Sequence, residues 1–296
     1  MNRTIVALNS VKTEADQDES APARRSVDID KLEVRLARSP AELLAAQRLR
    51  FRVFYEEMGA TPTPATAAEK RDFDHFDPLC DHLLVIDHAV DGAEPAVVGT
   101  YRLLREEVAR QHGGFYSASE FDLSFLEKNR KPDDNFLELG RSCVAPEYRT
   151  NAVIQMLWRA IAGYIVDHKI SLMFGCGSLP GVDPDALAVP LSYLYHNHLA
   201  PPDRRVRALD SRYVGMNRLP KEAIRPRDGL RTLPPLIKGY LRLGGYIGDG
   251  AVIDPEFKTV DCFIMVPCDA ITDRYVARYH KGEGERGEGE KGEGGE

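Results

Sequence analysis

The sequence has no long hydrophobic run. No apolar stretch approaches the roughly 18 residues that a membrane-spanning helix needs, which excludes an integral membrane protein. The N-terminal segment turns acidic early and has no apolar core of the kind that a secretion signal carries. Cysteine is scarce: the five cysteines form no CxxC pair, and an odd number is a poor basis for a disulfide framework. We therefore expect a cytoplasmic protein.

The composition is that of a globular protein, with 43% hydrophobic and 29% charged residues, which excludes a collagen-like or wholly disordered chain. The net charge of −7 is unevenly distributed. Residues 281–296 hold six Glu and seven Gly, and residues 1–30 are acidic with little apolar periodicity. Such segments cannot bury enough apolar surface to fold. We predict a disordered segment over 1–30, one folded domain over 31–280, and a disordered Gly/Glu-rich tail over 281–296.

One long stretch is strongly basic. Residues 204–242 contain eleven Lys and Arg against three acids, interleaved with Val, Leu, Ile and Tyr. This pattern favours an anionic partner, either an acidic carrier protein, an anionic membrane surface or nucleic acid. A solvated surface that is neutralised by acids distant in sequence is the alternative. No helix-turn-helix, zinc-finger or RNA-binding signature is present, so nucleic acid ranks last and we predict no such partner.

Hydrophobic periodicity predicts a mixed α+β fold. Ser39, Pro40 and Glu42 are typical of a helix start, and Gly59 can end that helix. Antiparallel strand pairs come first along the chain and a β-α-β crossover follows, which favours a mainly antiparallel sheet flanked by helices over a barrel or a doubly wound fold. The predicted strands are 32–38, 82–87, 96–104, 136–144, 170–175, 251–253 and 260–266, and the later helices are 148–168, 183–199, 236–243 and 271–280.

Several charged residues lie where their neighbours predict burial. Arg50 falls on the apolar stripe of the first helix, and Arg102 lies in an apolar strand. Asp74 and Asp77 precede the strand at 82–87. Because a buried charge is costly unless it is paired, we expect these groups to meet one another or a charged ligand. Ion pairs that only hold the sheet to the helix are the structural alternative.

Glu138 and Arg141 lie within a predicted strand whose other residues are mostly apolar and indicate that the strand is buried. Strict alternation would place their side chains on opposite faces. Glycine inside a strand is a common marker of a β-bulge, and a bulge at Gly140 would bring both side chains to one side. Backbone N–H groups freed at such a bulge would suit an oxyanion.

These residues resemble those of a known family. The signature of the acyl-homoserine-lactone synthases, which belong to the GCN5-related N-acyltransferase superfamily, is similar to the pattern at Arg50–Phe54, Asp74, Asp77, Arg102 and Glu138–Arg141. The sequence resembles the ornithine-lipid N-acyltransferases more closely, from about residue 32 to about residue 266. The similar segments include QRLRFRVFYEEMGA, CDHLLVID, VVGTYRLLR, LELGRSCV, MFGCGSLPG and RLGGYIGDGAVID.

Two departures separate the sequence from other members. The homoserine-lactone synthases have a Trp soon after the first helix, whereas the only Trp here is Trp158. Members that bind coenzyme A carry a Gly-rich phosphate loop, whereas residues 147–154 keep Arg149 but contain no glycine. Without glycine the backbone approaches a pyrophosphate less easily. A carrier-protein pantetheine, which has no nucleotide, fits that loss.

The resemblance implies transfer of a 3-hydroxyacyl chain from acyl carrier protein to the α-amino group of ornithine, giving lyso-ornithine lipid. It implies no cofactor beyond the acylated carrier protein. An α-ammonium must lose a proton before it attacks a thioester, and Glu138 is the implied base, with Arg141 as the second catalytic residue. The implied substrate-binding residues are Arg50, Phe54, Asp74, Asp77, Arg102 and Ser142. The implied contacts to the carrier protein or its pantetheine are Arg149, Arg204, Arg205 and Arg207.

Individual roles stay open. The arginines Arg50, Arg102 and Arg141 can hold Asp74, Asp77 and Glu138 in place, or one of them can grip the carboxylate of the amino acid. A free carboxylate at Asp74 or Asp77 would receive the side-chain ammonium of ornithine.

Rival interpretations are the same chemistry on another acceptor, a homoserine-lactone synthase, and a non-catalytic carrier- or lipid-binding protein. A covalent mechanism would use Cys143 or Cys176, but neither has a His near it in sequence to activate it. The Asp and His residues of 72–82 and the pair His196 and His198 have no standard zinc spacing, so we predict no metal. Helix 234–243 can lie at a membrane interface, which predicts peripheral membrane contact.

Overall fold

The structure is a computed structural model that describes residues 27–90, 92, 95–269 and 271. The strands of this part form a nine-stranded sheet in the spatial order β1-β2-β3-β5-β6-β9-β8-β7-β4. In chain order they are β1 (Leu32–Leu36), β2 (Asp81–Asp87), β3 (Val97–Arg105), β4 (Phe121–Asp122), β5 (Phe136–Val144), β6 (Leu172–Pro180), β7 (Arg207–Ala208), β8 (Tyr246–Asp254) and β9 (Thr259–Pro267).

The helices cover the sheet and carry much of the buried apolar surface. They are α1 (Pro40–Phe51), α2 (Pro64–Glu69), α3 (Glu106–Gln111), α4 (Ser124–Lys128), α5 (Asn151–Asp167), α6 (Ala188–His198), α7 (Pro226–Thr232) and α8 (Pro235–Arg242). None of the helices in the described part is both long enough and apolar enough to cross a membrane.

The first helix begins as its sequence predicts. The Ser39 side chain accepts a hydrogen bond from the backbone N–H of Glu42 over 3.3 Å, and Pro40 occupies the first turn. After Phe51 the helix widens into a π-helical segment, Arg52–Glu57. Gly59 then leaves the helical path with φ of +76°, a conformation that glycine adopts without steric cost.

The predicted fold class is confirmed. The pairs β1–β2, β2–β3 and β3–β5 are antiparallel, and so are the pairs β6–β9 and β9–β8. β5 and β6 run parallel, and α5 is the crossover between them. This gives a mixed, mainly antiparallel sheet flanked by helices.

Some boundaries differ from the sequence prediction. β6 extends to Pro180, and α6 begins at Ala188, because a run of turns follows Asp183 instead of the helix expected there. The short elements between β3 and β5, and helix α7, had no predicted counterpart. Three predictions lie wholly or mostly outside the described residues: the disordered tail at 281–296, the disordered segment at 1–30 and the helix at 271–280.

β5 and β6 pair over a short length and then part. Their register joins Phe136–Glu138 to Leu172–Phe174. Beyond it, β5 continues along β3 while β6 continues along β9. At the point of separation a Cβ added to Gly175 would lie 2.3 Å from the carbonyl oxygen of Leu139, so only glycine fits there. A gap therefore opens between two central strands of the sheet.

Candidate active site

A pocket of about 170 Å³ opens at this gap. β5 contributes residues 138–144 to its lining, and β6 contributes Cys176 and Ser178. Part of the lining is apolar, with Val53, Phe54, Met58, Pro234, Leu236, Ile237 and Tyr240. The rest is polar and includes Arg102, Glu138, Arg141, Asp254 and Asp261. One cavity therefore offers an apolar region and a strongly charged region.

The predicted bulge is present in β5, one residue later than expected. Arg102 pairs with Gly140 and Thr100 pairs with Cys143, so that one residue of β3 faces both Arg141 and Ser142. Arg141 has φ of +49°, a left-handed conformation that a non-glycine residue adopts at a cost. Both Glu138 and Arg141 line the pocket as a result.

An arginine–aspartate layer lies beside the pocket, made of Arg50, Arg102, Arg141, Asp72, Asp74 and Asp77. Arg50 is fully buried, and its guanidinium bonds both carboxylate oxygens of Asp77 at 3.0 and 2.8 Å and lies 2.7 Å from an oxygen of Asp72. The layer carries as many positive as negative charges, so it is neutral within itself.

Two further arginines complete the layer. Arg102 donates to Asp74 over 2.7 Å and to Asp77 over 3.2 Å. Arg141 lies 3.2 Å from Asp72 and 3.3 Å from Asp74. These contacts tie α1, the loop before β2, and strands β3 and β5 to one another.

The layer holds its carboxylates ionised. Burial alone would raise the pKa of Asp77, but the charge and hydrogen bonds of Arg50, with the charge of Arg102, bring that pKa below its usual value. The same balance between burial and the charges of Arg102 and Arg141 lowers the pKa of Asp74. Both carboxylates are therefore already paired with arginines, which makes them less suited to receive an ammonium group, the role that the sequence left open for one of them.

Glu138 is held by different partners from those expected. One oxygen accepts hydrogen bonds from the backbone N–H of Ser117 at 2.8 Å and from its hydroxyl at 2.5 Å. The other accepts from the N–H of Tyr116 at 2.7 Å. The side chain is nearly fully buried, and burial raises its pKa above the ordinary value against the effect of these bonds. A carboxyl with a raised pKa is suited to proton transfer.

More carboxylates gather at the pocket. We call Glu138, Glu120, Asp254 and Asp261 the acidic wall; Glu138, Asp254 and Asp261 line the pocket, Glu120 lies outside the lining with an oxygen within 4.8 Å of Asp261, and all four are at most 9% exposed. Burial, followed by the charge of Glu120, raises the pKa of Asp261 from 3.8 to about 7. Among the described residues, the cation that forms an ion pair with a member of this group is Arg212, which lies 3.2 Å from Glu120. The acidic wall therefore carries more negative charge than the protein neutralises, unless protons or a cationic ligand balance it.

The predicted site residues fall into three places. Phe54, Arg102, Glu138, Arg141, Ser142 and Arg149 line the pocket. Arg50, Asp74 and Asp77 lie in the arginine–aspartate layer. Arg204, Arg205 and Arg207 lie outside the pocket lining, near β7, where Arg205 donates to the carbonyl of Ala200 and Arg207 pairs with Asp249.

Arg149 already has a partner. Its guanidinium donates to both carboxylate oxygens of Glu57, at 2.5 and 2.7 Å, and to the carbonyl of Val144. A phosphate that binds Arg149 must compete with Glu57, which is partly exposed.

Several residues at the candidate site were not predicted from the sequence. Tyr116 and Ser117 lie in a stretch for which no element was predicted. Asp261 could have been found, because a lone carboxylate inside the apolar strand VDCFIMV is the same signal that pointed to Glu138. Asp72 was considered only as a metal ligand, but it bonds Arg50 and Arg141.

The two cysteines weighed as nucleophiles are poorly placed for that role. Burial raises the pKa of Cys143 to about 12 and that of Cys176 well above the usual range. In the described structure the Cys143 thiol lies against the Leu49 carbonyl, and the Cys176 thiol lies against Ser117 and Glu120. Neither thiol has a histidine partner there that would activate it. Their thiolates are disfavoured.

Glu120, Cys176 and Asp261 bring potential ligand atoms within 4.8 Å of one another. All three side chains already have protein partners, since Arg212 pairs with Glu120, the Cys176 thiol donates to Glu120 and the Thr259 hydroxyl donates to Asp261. We assign no metal to this group.

The architecture and the pocket are those of an acyltransferase. Residues 49–159 match the acetyltransferase (GNAT) domain family. This class of enzyme transfers an acyl group to an acceptor, which suits a cavity with both an apolar and a charged region.

Relatives narrow the class. The chain is 51% identical over 257 residues to L-ornithine N(alpha)-acyltransferase of Rhizobium meliloti (strain 1021), which covers 86% of each chain. It is 52% identical over 252 residues to L-ornithine N(alpha)-acyltransferase of Brucella abortus (strain 2308), covering 85% of this chain and 89% of that one. Among solved structures, FeeM, an N-acyl amino acid synthase from uncultured soil microbes, aligns with a TM-score of 0.45 at 11% identity, over 83% of this chain and 93% of that one. The chain belongs to the L-ornithine N(alpha)-acyltransferase family.

Proposed function

We propose that the protein transfers a 3-hydroxy fatty acyl group from acyl carrier protein to the α-amino group of L-ornithine, forming lyso-ornithine lipid. The relatives named above supply the acceptor and the reaction. The acidic wall is the observation in the pocket that carries the proposal, because buried carboxylates without a cationic partner favour a cationic acceptor.

Ornithine meets that charge requirement. It carries two ammonium groups and one carboxylate, so its net charge is positive. Asp254 and Asp261 line the pocket and lack a guanidinium partner in the described structure, which makes them the receptors for the side-chain ammonium. Arg102 and Arg141 also line the pocket and provide the positive charge for the carboxylate of the amino acid.

Glu138 is the base. It takes a proton from the α-ammonium, and the neutral amine then attacks the thioester carbon. The N–C bond forms, the C–S bond breaks, and the sulfur departs as the thiol of the carrier. Backbone N–H groups at the bulge beside Gly140 would stabilise the oxyanion that forms between these steps.

The acyl chain fits the apolar part of the pocket, formed by the π-helical segment and α8. The pantetheine arm fits the gap between β5 and β6, where the backbone edges of both strands face the cavity. The loop before α5 contains no glycine, which favours a donor without a nucleotide over coenzyme A.

The carrier protein would dock beside α8. This helix contributes Leu236, Ile237 and Tyr240 to the pocket, and it belongs to the basic stretch. Lys238 lies on it and donates to the carbonyl of Arg231 over 3.2 Å. An acidic carrier that contacts these cations would hold its pantetheine near the pocket mouth. Amphipathic substrate and product fit a cytoplasmic enzyme that touches the membrane peripherally.

Thiol release from 3-hydroxyacyl carrier protein tests the proposal, with each amino acid offered in turn and the product masses read in parallel. We expect release with ornithine and the mass of the Nα-amide. Release with S-adenosylmethionine instead would assign the protein to the signal synthases, and release with glycine or lysine alone would change the acceptor. Release from the coenzyme A thioester at the same rate would contradict the carrier requirement.

A further inference from the structure

Acyl transfer to an ammonium leaves a proton behind in every turnover. Of the three hydrogens on the ammonium, one stays on the amide, one leaves with the thiol and one passes to the base. Glu138 is the base in the function proposed above, on which this inference rests, and it is only 4% exposed. Its proton must leave a buried carboxyl before the next turnover.

A line of polar side chains, each within hydrogen-bonding distance of the next, leads away from Glu138. The Ser117 hydroxyl donates to Glu138 over 2.5 Å and lies 3.5 Å from the Cys176 sulfur. The Cys176 thiol donates to Glu120 over 3.4 Å. Glu120 in turn pairs with Arg212, whose side chain is 34% exposed, so the line ends near the surface.

We propose that Ser117, Cys176 and Glu120 form a proton relay that carries the proton from Glu138 out of the pocket. Protonated Glu138 donates to the Ser117 oxygen, the Ser117 hydroxyl donates its own hydrogen to the Cys176 sulfur, and the thiol hydrogen moves to Glu120. Ser117 and Cys176 each gain one hydrogen and lose one, Glu138 loses its proton, and Glu120 gains that proton and then releases it to solvent beside the partly exposed Arg212. No thiolate and no acyl–sulfur bond to the protein is formed.

The surroundings suit this role. Burial keeps the Cys176 pKa far above neutral, so the sulfur carries the hydrogen that it has to pass on. Burial also raises the pKa of Glu120, against the charge of Arg212, which makes Glu120 a better proton acceptor. The charged groups that face Glu120 are Arg141, Arg212, Asp254 and Asp261, and those that face Glu138 include Arg102.

The relay explains why a hydrogen-bonding side chain stands at position 176. The neighbouring strand β9 carries Cys262, which is fully buried within the apolar core. Packing alone would be served at 176 by any small apolar residue, whereas a relay requires a group that both donates and accepts.

The test compares two substitutions at Cys176. Cys176→Val fills the space, excludes water and cannot pass a proton, whereas Cys176→Ser restores a hydroxyl. Cys262→Val is the matched control, because it makes the same change outside the relay. Thiol release is followed at saturating substrates, with KM for both substrates and the thermal unfolding temperature measured for each variant.

We expect Cys176→Val to lower kcat by at least about tenfold at unchanged KM, since general acid–base steps contribute factors of about 10²–10⁴. Sodium azide, a small proton acceptor, should restore part of that loss while leaving the wild type unaffected. Cys176→Ser should lie within about twofold of the wild type, and Cys262→Val should match it.

The relay is wrong if Cys176→Val keeps the wild-type kcat, or if Cys176→Ser is as slow as Cys176→Val. A loss in Cys176→Val that azide does not relieve would assign Cys176 to packing alone. A wild type that releases thiol only with another amino acid contradicts the proposed acceptor but not the relay, which is then measured with that amino acid.

Discussion

Ser117 gives Glu138 two hydrogen bonds to the same carboxylate oxygen, one from its backbone N–H at 2.8 Å and one from its hydroxyl at 2.5 Å. With the N–H of Tyr116 on the other oxygen, at 2.7 Å, the carboxyl is fixed in orientation within a buried setting. A base that is held in this way is oriented before the substrate arrives.

Glu138→Gln removes the base and keeps nearly the same shape. We expect thiol release to fall by a factor of about 10²–10⁴, which is the usual contribution of a positioned base. Affinity for the acylated carrier should stay within about twofold, because the pocket is otherwise unchanged. Single-turnover kinetics and titration of the carrier protein measure the two effects. Full activity of this variant would remove Glu138 from the mechanism.

Arg50→Met leaves Asp72 and Asp77 buried without their main partner. Breaking a buried ion pair from one side costs about 3–5 kcal/mol, so the free energy of unfolding should fall by that order. Arg225→Met is the matched control. Arg225 is 85% exposed and pairs with Asp228, and such a pair contributes about 1 kcal/mol or less. Urea denaturation measures both, and equal losses would mean that the arginine–aspartate layer is not stabilised by its ion pairs.

Asp261→Asn should make stability less dependent on pH. Burial, with the charge of Glu120, raises the Asp261 pKa from 3.8 to about 7. Between these values the folded state holds a proton that the unfolded chain has lost, so stability falls as pH rises through that window. The variant should be about 2–4 kcal/mol more stable than the wild type at pH 8, at about 1.4 kcal/mol per pKa unit, and equal to it near pH 4.

Asp210→Asn is the control for that measurement. The Asp210 side chain is 94% exposed, and its change should alter stability by a similar small amount at every pH. Unfolding midpoints at several pH values compare the two variants. A constant difference for Asp261→Asn would show that its carboxyl titrates normally.

Gly175→Ala should disturb the start of the gap between β5 and β6. The added methyl would lie 2.3 Å from the carbonyl oxygen of Leu139. Because this oxygen belongs to the backbone, it can move away only if the pairing of β5 with β6 is distorted. Overpacking of this kind costs about 1–3 kcal/mol. Gly140→Ala is the control, because its methyl would have 3.8 Å to the nearest atom, the Nε of Arg102. Equal stability of both variants would contradict the crowding at Gly175.

Binding of the carrier protein should weaken strongly with salt. If the cations of α7 and α8 attract an acidic partner, raising ionic strength screens them and slows association. Lys238→Glu should weaken binding about tenfold and flatten the salt response. The double variant Arg204→Ala/Arg205→Ala tests the other end of the basic stretch. A salt-independent affinity would exclude an electrostatic docking surface.

Much of the fold could be predicted from the sequence because its strands and long helices are strongly periodic. β5 was placed with its observed bounds, since FLELGRSCV is apolar except at its functional positions. The elements between β3 and β5 could not be predicted, because helices as short as α3 and α4 contain too few residues for a hydrophobic period to be visible. These short elements place Tyr116 and Ser117, so the partners of Glu138 were missed with them.

The site itself was predicted in part. Burial of charge pointed correctly to Arg50, Arg102 and Arg141, since a cation on an apolar face needs a partner. Which carboxylate each arginine takes depends on tertiary geometry, and the sequence gives no measure of that. One interpretation therefore paired Glu138 with the arginines, whereas its hydrogen bonds come from Tyr116 and Ser117. The ammonium-binding role that the sequence left open for Asp74 or Asp77 stays a prediction, and the proposed function assigns it to Asp254 and Asp261 instead.

The arginine–aspartate layer balances its own charge. Its innermost ion pairs, those of Arg50 with Asp72 and Asp77, join α1 to the loop before β2 and need nothing from the substrate, whereas Arg102 and Arg141 also line the pocket. In the proposed function the choice of acceptor depends on Asp254 and Asp261, which lie outside that layer. Exchanging either one alters the acceptor site without breaking an arginine–aspartate pair, while the hydrogen bonds that Asp254 accepts from Glu256 and Phe257 and that Asp261 accepts from Thr259 set how far each can be changed.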